Sequence, residues 1–208
     1  MENTTLKCGK TLQMIKRIFG AQHYEFGLDY IQLLVQNPTQ KLPVLCLVGD
    51  KQTGKTAILK WIKALLFDRM SYIRQEEINS PFHGPFLNYS VWGLDDVQIR
   101  KKTLGHIKML NSSSTVVINQ RGKPMQEVEA NFKFILASND SKNFVEKYNS
   151  STFWVCELSP ICNIVFEYSN DLINEIPQFI EYLKNRELSI EPQSSYFFSN
   201  GLISQTNG

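Results

Sequence analysis

No apolar run in this 208-residue chain is long enough to cross a bilayer, and the amino-terminal MENTTLKCGK lacks the apolar core of a signal peptide. A soluble, cytoplasmic protein is expected. Histidine is scarce, at three residues, and the four cysteines, Cys8, Cys46, Cys156 and Cys162, form no C-x-x-C pair. They read as reduced, mostly buried thiols, with a Cys156–Cys162 bridge as the alternative. Charge of one sign is also missing: 22 basic against 20 acidic residues leave a net +2, which excludes a histone-like tail or a polybasic membrane arm. Any nucleic-acid contact must therefore be local. The length suits one main domain with a small helical appendage, and is too short for two full catalytic domains.

What is present is a phosphate-binding pattern in its expected setting. Val44 to Thr56 reads VLCLVGDKQTGKT and runs at once into AILKWIKALLF, so that Gly49, Gly54, Lys55 and Thr56 complete G-x-x-x-x-G-K-[ST] between an apolar strand and an amphipathic helix. In such a loop (Gly49, Asp50, Lys51, Gln52, Thr53, Gly54, Lys55, Thr56) backbone N–H groups and the positive helix end face phosphates. Lys55 neutralises the outer ones, and the Thr56 hydroxyl is suited to Mg²⁺. The bland reading is an accidental glycine turn.

Around this motif the periodicities predict further elements. Residues 4–36 carry two helical patterns, ended by Asn37-Pro38; 1–38 is taken as a helical lead-in with a possible role in oligomerisation, 39–190 as the core and 191–208 as a polar, loose tail. Ile78 to Tyr89, holding Pro81, Gly84 and Pro85, is expected to be loop or broken strand. A strand over Tyr89–Leu94 delivers Asp95 and Asp96, and a helix over Val97–Leu110 follows. Thr115–Asn119 and Val128–Phe132 read as hairpin arms around the turn residues 120–124. A buried strand over Phe132–Ala137 leads to Ser138-Asn139-Asp140. Phe153–Val155 suggests another strand, and Asn170–Leu188 a helix interrupted by Pro177.

Asp95 and Asp96 lie at a strand's carboxyl end, where ligands bind in open α/β sheets. Asp95 is placed to hold Mg²⁺ and Asp96 to act as general base on an attacking water. The competing reading makes both aspartates the N-cap of the following helix. Asn139, at the end of the next apolar strand, would reach the γ-phosphate and orient water in a sheet where the P-loop and Asp95 strands are neighbours. Alone it is ordinary turn chemistry.

The order of these signals resembles the superfamily 3 helicases, a branch of the AAA+ ATPases of viruses, phages and plasmids. The resemblance rests on GDKQTGKT (Walker A), VWGLDDV (Walker B), INQRGKPMQEVEANF (the B′ hairpin) and FILASND (motif C), and spans roughly residues 24–190. It implies an α/β fold: an AAA+ P-loop NTPase core with a central, mostly parallel sheet flanked by helices and a B′ β-hairpin insertion. It also implies an ATP-dependent, Mg²⁺-requiring helicase of DNA replication, in a bacterial host cell. Lys55, Asp96 and Asn139 would be catalytic, Thr56 and Asp95 would hold the metal, and a homohexameric ring would bind ATP between subunits. Arg121 and Lys123 at the hairpin tip would track single-stranded DNA in the central channel, because six subunits turn two local charges into a positive pore. A solvated tip with two surface charges is the plain alternative. A primase or polymerase is expected on the same or another chain, and Met1 is expected to be a natural start.

One departure stands out. The family places an arginine just before the strand that follows motif C, where this chain has Asn149-Ser150-Ser151-Thr152. Such a finger contributes a factor of about 10³ or more to turnover. Either Lys142, Lys147, Arg100 or Lys102 substitutes, or hydrolysis is slow. Slow hydrolysis would suit an ATP-dependent assembly or loading module of a replication complex. A P-loop small-molecule kinase is a third reading, disfavoured by the lack of an arginine-rich lid.

Overall fold

The computed structural model describes residues 6–80, 87–98, 100–119, 122, 124–140, 152–160 and 167–190. Arg121, Lys123, Lys142, Lys147, Cys162, residues 149–151 and the tail lie outside them. The lead-in folds as a 3₁₀ turn, Leu6–Cys8, followed by helices α1 (Gly9–Phe19) and α2 (Tyr24–Gln36). Strand β1 (Val44–Val48), helix α3 (Lys55–Leu66), strand β2 (Met70–Tyr72) and the short helix α4 (Gln75–Ile78) come next. Then follow β3 (Val91–Leu94), α5 (Lys101–Ser112), β4 (Thr115–Ile118), β5 (Gln126–Glu129), β6 (Lys133–Ser138), β7 (Phe153–Glu157), α6 (Glu167–Asn174) and α7 (Ile176–Asn185).

Five strands form one parallel sheet in the order β2-β3-β6-β1-β7. Strands β1, β3 and β6 are buried at every position, as expected of parallel strands covered on both faces. Alternation along each strand then divides the core in two. Leu45, Leu47, Ile135, Ala137, Trp154 and Cys156 face α1, α2, α3, α6 and α7. Their neighbours Val44, Cys46, Val48, Phe134, Leu136 and Phe153 face α5 and the segment around α4. The lead-in helices thus share the main core: Phe19 of α1 lies 4.5 Å, ring to ring, from Trp154 of β7. The architecture is an α/β fold with a central parallel sheet flanked by helices on both faces, and a two-stranded hairpin, β4-β5, inserted between α5 and β6. Cys8, Cys46 and Cys156 are buried. Among the described residues no helix is long and apolar enough to cross a membrane.

Four sequence expectations need correction. The P-loop strand β1 and the Asp95 strand β3 are not neighbours, because β6 lies between them. The helix expected from Val97 begins only at Lys101: the Val97 carbonyl, which would accept the Lys101 N–H in a helix, accepts Ser138 Oγ at 2.8 Å, and the Val97 and Gln98 N–H groups bond the Ala137 carbonyl at 2.9 Å and Gln75 Oε1 at 3.0 Å. The second hairpin arm is Gln126–Glu129 rather than Val128–Phe132. Its ladder closes with Ala130 N–H on Ser114 O, after which Phe132 packs on Trp92 and Lys133 N–H joins Ser90 O in the main sheet. The C-terminal helix breaks at Glu175, and Pro177 sits in the first turn of α7, where its missing N–H costs nothing. The sequence also left β2 and α4 unread.

Candidate nucleotide site

The P-loop leaves β1 at Val48 and turns through three left-handed residues, Gly49 (φ 144°), Gln52 (φ 66°) and Gly54 (φ 82°), before α3 starts at Lys55. Glycine at 49 is required by space as well as by φ. A Cβ there would lie 2.5 Å from the carbonyl oxygen of Leu158, whose own N–H donates to Val48 O. The loop is therefore backed by the residues that follow β7.

Lys55 is 7% exposed, and its ammonium donates to Gly49 O (2.7 Å), Asp50 O (2.7 Å) and Thr53 Oγ1 (3.0 Å). Three ammonium donors thus satisfy loop oxygens. Burial pushes its pKa below the usual lysine range, while Asp50, Asp95 and Asp96 act to raise it. Thr53 is fully buried and donates to Asp50 O. Asp50, Lys51 and Gln52 are exposed at the loop's outer side.

The strand order brings the remaining groups together. Because β6 separates β1 from β3, Asn139 emerges between the P-loop and the aspartates. Thr56 Oγ1 donates to Asp95 Oδ1 at 3.2 Å, Asp95 Oδ1 also accepts the Asp96 N–H at 3.1 Å, and Asn139 Nδ2 donates to Asp96 Oδ1 at 2.8 Å. Asp96 itself is left-handed, with φ 54°. Helix α5 has Arg100 at its N-cap position and no side-chain cap, so the aspartates do not cap it. Thr56 and Asp95 offer hard oxygen donors of the kind Mg²⁺ takes, so this donor set fits that ion.

Thr56, Asp95, Asp96, Lys60, Gln75 and Arg100 line an open cleft of about 840 Å³. Of the candidate substitute cations, Arg100 is exposed on this cleft, its guanidinium donating to Gln98 Oε1 at 2.7 Å. Lys102 is exposed on α5. Thr152 is 8% exposed and its carbonyl accepts the Val44 N–H at 2.8 Å, so that position faces into the fold.

Three contributors escaped sequence reading. Arg17 of α1 donates to the carbonyls of Thr53 and Ser159, both at 2.7 Å, joining the lead-in to the P-loop. Ser138 Oγ donates to Val97 O at 2.8 Å, and Gln75 accepts the Gln98 N–H. None belongs to a local pattern, because each works through a partner more than 20 residues away.

Comparison with solved structures finds the same fold in the C-terminal region of NrS-1. An A-form apo structure matches with a TM-score of 0.73 and 16% identity over 93% of this chain and 50% of that one. An apo structure of NrS-1 residues 305-718 matches with 0.71 and 17% over the same shares. The chain spans about half the length of these structures, and at such identities the likeness is one of fold. No curated protein matches the sequence. A family model described as "Family of unknown function (DUF5906)" matches residues 47–152.

Proposed function

The chain belongs to a family of unknown function, DUF5906, whose matched segment runs from the P-loop strand to the threshold of β7, and on that premise we propose an ATPase of the superfamily 3 helicase type. It would act as a ring oligomer on single-stranded DNA during replication of a phage, virus or plasmid. The observation that carries this reading is the continuous contact from Thr56 through Asp95 and Asp96 to Asn139, assembled beside Lys55 from the ends of three different strands. A helix cap or a chance turn would not require that convergence.

In this reading the Lys55 ammonium leaves the carbonyls of Gly49 and Asp50 for phosphate oxygens, and the loop N–H groups hold the rest of the phosphate chain. Thr56 and Asp95 would hold Mg²⁺, which would supply charge neutralisation to the phosphates. Asn139 orients a water, and Asp96 takes its proton as the water oxygen bonds to the γ-phosphorus and the bond to the ADP oxygen breaks. The Asn139 to Asp96 hydrogen bond keeps the two groups in register for that step.

The test is nucleotide binding and phosphate release measured on the parent, Lys55→Ala and Asp96→Ala. The parent is expected to bind ATP and hydrolyse it, and Lys55→Ala to lose binding. Asp96→Ala is expected to bind but turn over at least about 100-fold more slowly. A parent that binds no nucleotide, or an Asp96→Ala variant with parental turnover, overturns the reading. The inward-facing Thr152 favours one second reading, a loading module that assembles with ATP and hydrolyses weakly. ATP-dependent assembly without strand displacement would support it.

A further inference from the structure

Asp96 is the one aspartate among the described residues with a left-handed backbone (φ 54°), a conformation that aspartate tolerates better than most residues but that still carries a cost. Its N–H donates to Asp95 Oδ1 at 3.1 Å and its carboxylate accepts Asn139 Nδ2 at 2.8 Å, and the bonds of the residues that follow add to what holds the turn. The stretch after it favours helix from Val97 onward by its apolar spacing, yet Val97, Gln98 and Arg100 stand ahead of a helix that begins at Lys101. Val97 and Gln98 are tied instead to other segments. Val97 is held at both ends, its N–H by Ala137 O (2.9 Å) and its carbonyl by Ser138 Oγ (2.8 Å), and the Gln98 N–H is held by Gln75 Oε1 at 3.0 Å.

Gln75 is itself braced. Its Nε2 donates to Thr103 Oγ1 at 3.2 Å, and Thr103, fully buried on α5, also accepts Asn79 Nδ2 at 3.0 Å. Turning the Gln75 amide over would place N–H against N–H at Gln98 and oxygen where Thr103 now receives a donor, so one orientation is enforced. The side chain therefore ties three elements, α4, the segment after β3, and α5, at the wall of the cleft that holds Thr56, Asp95 and Asp96.

We propose that Gln75 is a positioning residue for hydrolysis, fixing through the Gln98 N–H the left-handed turn that aims the Asp96 carboxylate at Asn139. The inference rests on the reading of Asp96 as the base, but its geometric half stands apart from it. The Gln75 side chain bonds Gln98 and Thr103, and no hydrogen bond from it to Lys55, Thr56 or Asp95 is found among the described residues, so its effect belongs to turnover and not to nucleotide affinity.

Gln75→Leu removes both polar atoms at similar volume, whereas Gln75→Glu keeps an acceptor for Gln98. Each is compared with the parent and Asp96→Ala for ATP turnover, nucleotide affinity and thermal midpoint, together with amide hydrogen exchange at Gln98 in nucleotide-free protein. Gln75→Leu is expected to lose turnover about tenfold, since small misplacements of catalytic groups are costly. Affinity and melting should stay near parental, and Gln98 should exchange faster. Gln75→Glu is expected to retain most of the turnover and the slow exchange. Parental turnover in Gln75→Leu, equal losses in both variants, or a matching loss of affinity would overturn the positioning role. Should Asp96→Ala turn over like the parent, the assignment of the base fails instead. In that event unchanged Gln98 exchange in Gln75→Leu still overturns the geometric claim.

Discussion

At the residue scale, two buried lysines at opposite ends of the sheet are handled differently. Lys55, at the carboxyl end, spends its donors on loop oxygens within two to six residues, which is why a local motif could announce it. Lys133, at the amino end of β6, is 2% exposed and donates to the Pro38 carbonyl, and no motif marks it. Burial foremost, and then the charges of Lys41 and Arg69, bring its pKa down to about 8. A lysine whose folded pKa lies below its unfolded value binds fewer protons when folded. Its charge therefore opposes folding at neutral pH, and the opposition fades as pH rises from about 8 towards 10. In urea unfolding, the stability of the parent relative to Lys133→Met is expected to rise across that window, by at most about 1.4 kcal/mol per pH unit. Taking the difference cancels Cys46, Cys156 and Tyr30, whose raised pKa values act in the opposite direction. A flat or falling difference would show that Lys133 carries no such penalty.

At the element scale, helix packing is set by one close approach that the sequence does not display. A Cβ on Gly27 of α2 would lie 2.1 Å from Phe19 Cδ2 and 2.9 Å from Phe19 Cβ, and Phe19 has no room to yield because its ring lies against Trp154. Gly105, midway along α5, has nothing within 4 Å of the same position. Both are helical glycines, so propensity alone predicts a gain for either substitution by alanine. Overpacking typically costs about 1–3 kcal/mol, whereas an uncrowded helical glycine gains about 0.5–1 kcal/mol as alanine. Gly27→Ala is therefore expected to lower the urea midpoint and Gly105→Ala to raise it; shifts of the same sign would refute the packing account. Elements with strong local signals were legible: β1 and α3 around the P-loop, β6 as a continuous apolar run, the two lead-in helices. Strand β2 was not, because three residues with only Met70 buried leave no periodicity. The first residues of α5 were misread because tertiary hydrogen bonds overrode a helical pattern.

At the scale of the whole molecule, the proposed ATP site opens on a cleft with Arg100 on its rim and no arginine ahead of β7, an arrangement to be completed by a neighbouring subunit in the ring reading. Light scattering with an ATP analogue and single-stranded DNA is expected to give the mass of a closed oligomer, and the double variant Arg121→Ala with Lys123→Ala to lose the response of turnover to single strands. A persistent monomer, or an undiminished response, would count against the pore. The sequence by itself determined the glycine-bearing loop between an apolar strand and a helix, the order of the strand-end signals and the continuously apolar central strand, because these depend on neighbours a few residues apart. Only the tertiary structure decided that β6 stands between β1 and β3, that Asp95 and Asp96 are freed from helix capping, and that Gln75, Ser138 and Arg17 brace the site. The physical reason is that each of these depends on hydrogen bonds between segments far apart in the chain, whose partners are chosen by packing of the sheet and its helices and leave no periodicity to read.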